Sequence, residues 1–129
     1  MTTREIPAEA LVTDWNKVAS EQMADGIKRQ MVVGKNVMVC RFTFAAFVVT
    51  DVHTHPHEQI TLVTKGKVKF AIDGESVVAS AGDVLYFPSN LEHGATMLDE
   101  EVVLIDIFSP VREDFLNGSS GYRTDHSKA

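Results

Sequence analysis

Apolar and polar residues alternate with a period of two over most of the chain between Ile27 and Phe108. The alternation is clearest from Val37 to Phe47, where one face would carry only apolar side chains, those of Met38, Cys40, Phe42, Phe44 and Ala46. A pattern of this kind is typical of a strand with one buried face. Shorter runs follow, and Asp73-Gly74 separates two of them as in a tight hairpin turn. The pattern therefore predicts about eight or nine short strands.

The predicted fold class is all-β, because no helical pattern of three turns lies between these strands. Parallel sheets need crossover helices, so we expect an antiparallel sandwich or barrel. We assign residues 27–116 to this barrel. Residues 1–26 are expected to form an N-terminal arm or cap, with helix-compatible spacing from Asp14 to Ala24, and residues 117–129 a flexible C-terminal tail.

Composition and charge narrow the possible functions. A chain of 129 residues fits one domain. Its formal net charge of -6 at pH 7, without a clustered basic face, argues against a nucleic-acid partner. No apolar run of about 18 residues and no apolar signal region occur, so we expect neither a membrane segment nor secretion. The one cysteine, Cys40, is expected to be a buried inert thiol, and a cytoplasmic location fits these features.

Three histidines, a glutamate and a glutamine fall within the seven-residue stretch His53 to Gln59. In an extended strand alternate side chains share a face, so the three imidazoles and the glutamine amide would point the same way. Neutral imidazoles with an oxygen ligand suit zinc, copper, iron or nickel. The stretch therefore indicates a metal site, although a histidine-rich loop in solvent would have the same composition.

A further histidine, His93, follows a Gly-Asp turn and a proline-containing loop. The order H-x-H-x3-Q and then G-D-x4-P-x4-H resembles the two motifs of the cupin superfamily, over Val37 to Phe108. The resemblance implies a jelly-roll β-barrel whose mouth holds one divalent metal ion, with zinc, nickel, iron and manganese all open. By position, the resemblance implies four ligands: His53, His55, Gln59 and His93.

The first motif departs from the family pattern at two positions. Phe47 stands where a glycine usually precedes the first histidine, and Gln59 replaces the commoner glutamate. A shift of one residue would let Glu58 serve instead, but strand parity favours Gln59. His57 matches no ligand of the family, and we expect it at the rim or behind a ligating imidazole.

The run from Asp106 to Arg112 carries the spacing D-x-F-x3-R. With the two motifs, it resembles the pectin-degradation KdgF group of small cupins. That group opens 4,5-unsaturated uronates to linear 5-keto-4-deoxyuronates. The resemblance implies that Asp106 moves a proton, that Arg112 grips the uronate carboxylate, and that Phe108 walls the pocket. Alternatively, Asp106 is a rim residue that caps a turn or pairs with Arg112. For Tyr86, core packing with its hydroxyl at the rim is favoured over a hydrogen bond to substrate.

Two other classes of function remain open at this point. Three histidines and an oxygen ligand also suit an oxygen-dependent cupin, a metal-dependent dioxygenase. A non-catalytic cupin that binds a sugar or small molecule is the other alternative, although the chain has no evident effector region. The expected partner is in each case a small molecule, and we also expect a homodimer, because unpaired sheet edges favour association.

Overall fold

The computed structural model describes residues 9–117, and within that range the predicted all-β antiparallel fold is confirmed. A single 3-10 turn, Trp15–Lys17, precedes the strands. The strands are β1 (Glu21–Ala24), β2 (Ile27–Val33), β3 (Met38–Phe44), β4 (Val49–His53), β5 (Glu58–Lys65), β6 (Lys67–Ile72), β7 (Glu75–Ser80), β8 (Val84–Phe87), β9 (His93–Met97) and β10 (Val102–Ser109), followed by the short helix α1 (Glu113–Leu116).

These strands form two antiparallel sheets. The larger sheet has the order β1-β2-β3-β10-β5-β8, and the smaller has the order β4-β9-β6-β7. Strands distant in the sequence lie side by side, since β10 is inserted between β3 and β5 and β4 belongs to the other sheet. Each sheet turns one face toward the other, and the apolar side chains of both inner faces form one core.

The period-two pattern is seen directly in the burial of the strands. In β3 every second residue is buried, from Met38 to Phe44. In β10 the buried residues include Leu104, Asp106 and Phe108, so the aspartate faces the interior with its apolar neighbours. Cys40 is fully buried, as predicted, and burial, with the charge of Asp106 next, raises the pKa of its thiol far above the usual range.

The segment from Asp14 to Ala24 differs from its helix-compatible pattern. It contains only the 3-10 turn and β1, which pairs with β2 and extends the larger sheet. The side-chain amide of Gln30 donates to the carbonyl oxygens of Trp15 and Val18 at 2.7 and 2.9 Å. These bonds use carbonyls that a helix would pair internally, so tertiary contacts override the local preference.

Several expectations fall on the ends of the chain. Residues 1–8, and the tail from 118 with His126, lie outside the described residues, so the domain limits at 26 and 117 stay predictions. Between residues 9 and 117, no helix is long and apolar enough to cross a membrane.

The strand ends that carry the predicted metal ligands lie at one end of the sandwich. The last residue of β4 pairs with the first of β9, which sets His53 opposite His93. On the larger sheet, Gln59 near the start of β5 lies between Phe87 of β8 and Phe108 of β10. The predicted ligands therefore lie at one mouth of the fold.

Candidate metal centre

Three histidines converge at this mouth. His53 ends β4, His55 lies in the loop that follows, and His93 begins β9. One potential ligand atom from each lies within 4.8 Å of the other two. The ring centroids of His53 and His93 are 4.5 Å apart, and those of His55 and His93 are 5.1 Å apart. This spacing would let the three side chains bind one metal ion.

Backbone carbonyls fix the tautomer of each imidazole. The Nδ1 atoms of His53, His55 and His93 lie 2.9, 3.1 and 2.8 Å from backbone carbonyl oxygens. Those oxygens belong to Asp51, His57 and Leu91. Because a carbonyl can only accept, each Nδ1 carries the proton and each Nε2 keeps its lone pair for another partner. Metal-binding histidines are oriented in the same way.

The site holds more hydrogen-bond acceptors than donors, which suits a cation. His55 Nε2 lies 3.0 Å from Oε1 of Gln59, so this ring meets two oxygen acceptors, one at each nitrogen. A neutral imidazole has one proton for the two. The Nε2 atom of His93 is buried and has no hydrogen-bond partner in the part of the chain that the structure describes. A divalent ion on these lone pairs would satisfy them together, so the residues present fit a metal.

Burial keeps these imidazoles neutral at physiological pH. Desolvation is the largest cause that lowers the pKa of His55 and His93, in each case to about 4, and it also lowers the pKa of His53. The positive charge of Arg112 adds to the effect on all three. Neutral imidazole is the form that binds metal ions, so the site needs little proton release to accept one.

The structure places Gln59, rather than Glu58, beside the histidines. The expected single strand through residues 53–59 is wrong, because β4 ends at His53 and β5 begins at Glu58 in the other sheet. Gln59 is buried, whereas Glu58 is exposed on the outer face of β5 and accepts a hydrogen bond from the Tyr86 hydroxyl at 2.5 Å. The expectation of core packing for Tyr86 is therefore wrong, since its side chain is 55% exposed. Parity explains the error, because Tyr86 is paired with Ile60, on the outward face.

A chain of hydrogen bonds runs inward from Gln59. Its Nε2 donates to the hydroxyl of Thr61 at 2.9 Å, and that hydroxyl donates to Oδ1 of Asp106 at 2.7 Å. Asp106 is fully buried inside β10 and is the register partner of Thr61. This position is within the strand, so the alternative of an end-of-strand residue that caps a turn is wrong, whereas its pairing with Arg112 stays a prediction.

Arg112 and Phe108 form the wall beside the histidines. The ring of Phe108 meets that of His55 edge-on, with centroids 5.7 Å apart. The guanidinium carbon of Arg112 lies 5.1 Å from the Phe108 centroid and 4.2 Å from that of Phe115. Nε and Nη2 of Arg112 donate to the carboxylate of Asp114 at 3.1 and 2.7 Å. Among residues 9–117, Nη1 donates no hydrogen bond.

Three buried residues near the site were not singled out from the sequence. Thr61 links Gln59 to Asp106, and Arg29 and Phe115 lie behind Arg112. Arg29 is fully buried and pairs with Glu21 at 3.3 Å. Strand parity could have found two of them. Arg29 lies two residues after Ile27, and Thr61 two residues after Gln59, so each shares the inward face of its strand with a residue already expected inside.

His57 lies at the rim, as predicted. Its backbone carbonyl accepts from His55, and its own ring is half-buried with the centroid 5.5 Å from that of His55. The ring also borders a cavity of about 460 Å³, which is further lined by Lys35, Asn36, Pro110, Val111, Glu113 and Asp114. None of the three clustered histidines lines this cavity, so it lies beside the site on the far side of His57.

Comparison with known proteins agrees with this fold. A family model described as the cupin domain matches residues 41–108. The curated pectin degradation protein KdgF of Dickeya dadantii (strain 3937) is 39% identical over 99 residues, which cover 74% of this chain and 89% of that protein.

Two solved structures have the same fold. KdgF from Halomonas sp. superposes with a TM-score of 0.79 at 28% identity, covering 83% of this chain and 99% of the other. An RmlC-like cupin from Shewanella frigidimarina NCIMB 400 superposes with a TM-score of 0.78 at 32% identity, covering 83% and 96%.

Proposed function

The chain belongs to the cupin family, and from this membership we propose that it is a metal-dependent enzyme of uronate breakdown. The proposed reaction opens the ring of a 4,5-unsaturated uronate to give a linear 5-keto-4-deoxyuronate. The relatives named for KdgF support the pathway, since one is described as a pectin degradation protein. A cytoplasmic location and a small carboxylated substrate are parts of the same proposal.

The observation that carries the proposal is the arrangement around Phe108. Its ring contacts His55 on one side and Arg112 on another, and Asp106 lies two residues earlier on the same face. A fixed cation and the histidine cluster thus border the ring of Phe108, and the fully buried carboxyl group of Asp106 is linked to the cluster through Thr61 and Gln59. Such a set suits a reaction that moves protons on a small carboxylate.

Within this proposal each residue has a separate role. His53, His55, Gln59 and His93 would hold a divalent ion, which supplies Lewis acidity toward a sugar oxygen. Arg112 binds the uronate carboxylate through Nη1 and the adjoining edge of its guanidinium. The aromatic ring of Phe108 excludes water from one side of the sugar.

Asp106 moves the proton in an isomerisation that needs no co-reactant. The anomeric hydroxyl loses its proton and the bond between C1 and the ring oxygen breaks, which leaves an aldehyde at C1 and an enolate at C5. The enolate then becomes a ketone as C4 takes up a proton. Atoms balance, because one proton leaves an oxygen and one arrives at a carbon.

The test follows the ultraviolet absorbance of the conjugated double bond in unsaturated galacturonate. We expect wild type to remove it, Asp106→Asn to lower kcat by about 100-fold or more, and Arg112→Ala mainly to raise KM. Arg41→Ala is the matched control, because this guanidinium donates to Gln30 at 2.9 Å from the opposite face of the sheet. Loss of absorbance no faster than in buffer would remove the proposal.

A redox cupin is the second candidate, and the donor set favours it as much as the first. Three imidazoles and an amide oxygen also bind iron, nickel or manganese. Metal analysis combined with oxygen consumption on flavonoid and diketone substrates separates the two reactions. A sugar-binding protein without activity would show affinity for uronate and no turnover in either assay.

A further inference from the structure

The interior hydroxyl of Thr61 lies between two groups that the proposed function uses. Thr61 and Gln59 alternate on the inward face of β5, and Asp106 is the register partner of Thr61 on β10. Thr61 as a whole is 1% exposed, so its hydroxyl is shielded from bulk water. Its two hydrogen bonds, at 2.9 Å to Gln59 and 2.7 Å to Asp106, are therefore its whole environment of polar contacts in the described residues.

Proton counting gives these bonds a fixed direction. When Asp106 is ionised its carboxylate only accepts hydrogen bonds, and the single proton of the Thr61 hydroxyl is then donated to its Oδ1. The hydroxyl oxygen can then only accept, and the Gln59 amide must offer it the NH2 group. Consequently Oε1 of Gln59 is the atom that faces His55.

The opposite orientation of the amide would harm metal binding. With the amide reversed, its NH2 group would donate to the lone pair of His55 Nε2 and occupy the place of the ion. The Gln59 oxygen would then face the Thr61 oxygen, and two buried acceptors would meet without a proton between them. Thr61 therefore disfavours the orientation that competes with a metal ion.

We propose that Thr61 is a positioning residue of the metal centre, which directs the Gln59 amide oxygen toward the ion because Asp106 takes its hydroxyl proton. The proposal rests on the ligand set of the proposed function. It adds an inner link, through which Asp106 influences the ion without touching it. The β-branched side chain suits the role, since its χ1 angle is more restricted than that of serine.

The experiment measures zinc affinity, by competition with a chromophoric chelator, and the visible spectrum of the cobalt-loaded protein. Thr61→Val keeps the shape and removes the hydroxyl. We expect zinc binding to weaken by about 10- to 100-fold, the usual effect of losing a group that orients a ligand, and the cobalt bands to shift. Thr61→Ser restores the hydroxyl and should recover most of the affinity and the spectrum.

Val63→Ala is the matched control for general loosening of β5. Val63 is buried two residues further along the same inward face, and its truncation leaves a cavity without removing a hydrogen bond. We expect this variant to be less stable but to bind zinc and cobalt as wild type does. An equal loss of zinc affinity in Val63→Ala and Thr61→Val would overturn the proposal, as would an unchanged Thr61→Val.

These readouts separate this inference from the proposed reaction. Neither uses a substrate, so a wild type that binds zinc but leaves unsaturated uronate unchanged removes the reaction and leaves the role of Thr61 to be decided by the variants. A wild type that takes up neither zinc nor cobalt overturns the ligand set and the role of Thr61 together.

Discussion

His55 and His93 connect the chemistry of the site to the stability of the fold. Their folded-state pKa is lowered from 6.5 to about 4, chiefly by burial. Between these values the unfolded chain binds more protons than the folded one, so the free energy of unfolding rises with pH. The contribution of these two histidines to the stability of the metal-free protein is therefore fully present above pH 6.5 and is lost as the pH drops toward 4.

We expect each of these two histidines to lower the free energy of unfolding by about 3 kcal/mol at most when the pH falls from 6.5 to 4. Urea denaturation of the metal-stripped protein across this range measures the effect. His93→Gln removes one of the two groups and should reduce the pH dependence by about one proton. An unchanged slope in that variant would contradict the assignment of the low pKa to His93.

At the residue scale, the sequence predicted where side chains point better than what they contact. Parity alone places Gln59 and Asp106 inside, and both lie there. The bond from Thr61 to Asp106 depends on the register between β5 and β10, strands far apart in the sequence. The pairing of Arg112 with Asp114 depends on the path of the chain after β10, which a period-two pattern does not describe.

At the scale of elements, the loop between β3 and β4 holds a residue other than glycine in the left-handed backbone region. Phe47, at the usual glycine position of the first motif, has a φ of 67° and is 70% exposed. Residues with a Cβ adopt this left-handed region at a cost of about 1–2 kcal/mol, which glycine avoids. The departure seen in the sequence thus puts a residue with a Cβ at a backbone conformation that favours glycine.

We expect Phe47→Gly to be more stable than Phe47→Ala by about 1 kcal/mol, the reverse of the usual order of these two residues. Both substitutions remove the same exposed ring, so they differ only in the strain of the backbone and the freedom of the unfolded chain. Urea denaturation of the two variants gives the difference directly. An alanine variant as stable as the glycine variant would show that this loop relaxes.

The elements were predictable wherever alternation decides them. From β2 to β10 the number and antiparallel arrangement of the strands follow from alternation and turns. The prediction for the segment before β2 was wrong, because its apolar spacing fits a helix. In the structure its backbone pairs with β2 as strand β1 and accepts hydrogen bonds from the side chain of Gln30. Contacts of this kind are made by the assembled sheet, so the local sequence does not contain them.

For the whole molecule, the outer face of the larger sheet has the character of an interface. Tyr86 and Val84 of β8 are 55% and 66% exposed and lie beside Ile60 and Leu62 of β5. An apolar strip on a sheet with an unpaired edge favours association. The expected homodimer would bury this strip.

We expect light scattering after size exclusion, at micromolar concentration, to give the mass of a dimer for wild type and of a monomer for Val84→Lys. Val78→Lys is the matched control, since it adds the same charge at an exposed apolar position of β7 on the smaller sheet. A monomeric wild type would contradict the expected dimer, and a dimer that survives Val84→Lys but not Val78→Lys would place the interface on the smaller sheet.

The proposed ligands come from both sheets, and this has a consequence for the life of the protein in a cell. His53 and His93 belong to the smaller sheet and Gln59 to the larger, so an ion held by all three ties one layer to the other. Affinity for the ion then adds to the free energy of unfolding, by about 4 kcal/mol when free metal exceeds the dissociation constant a thousandfold. In a metal-starved cell the same chain would open more often and be degraded sooner, so its abundance would follow the supply of its metal as well as the expression of its gene.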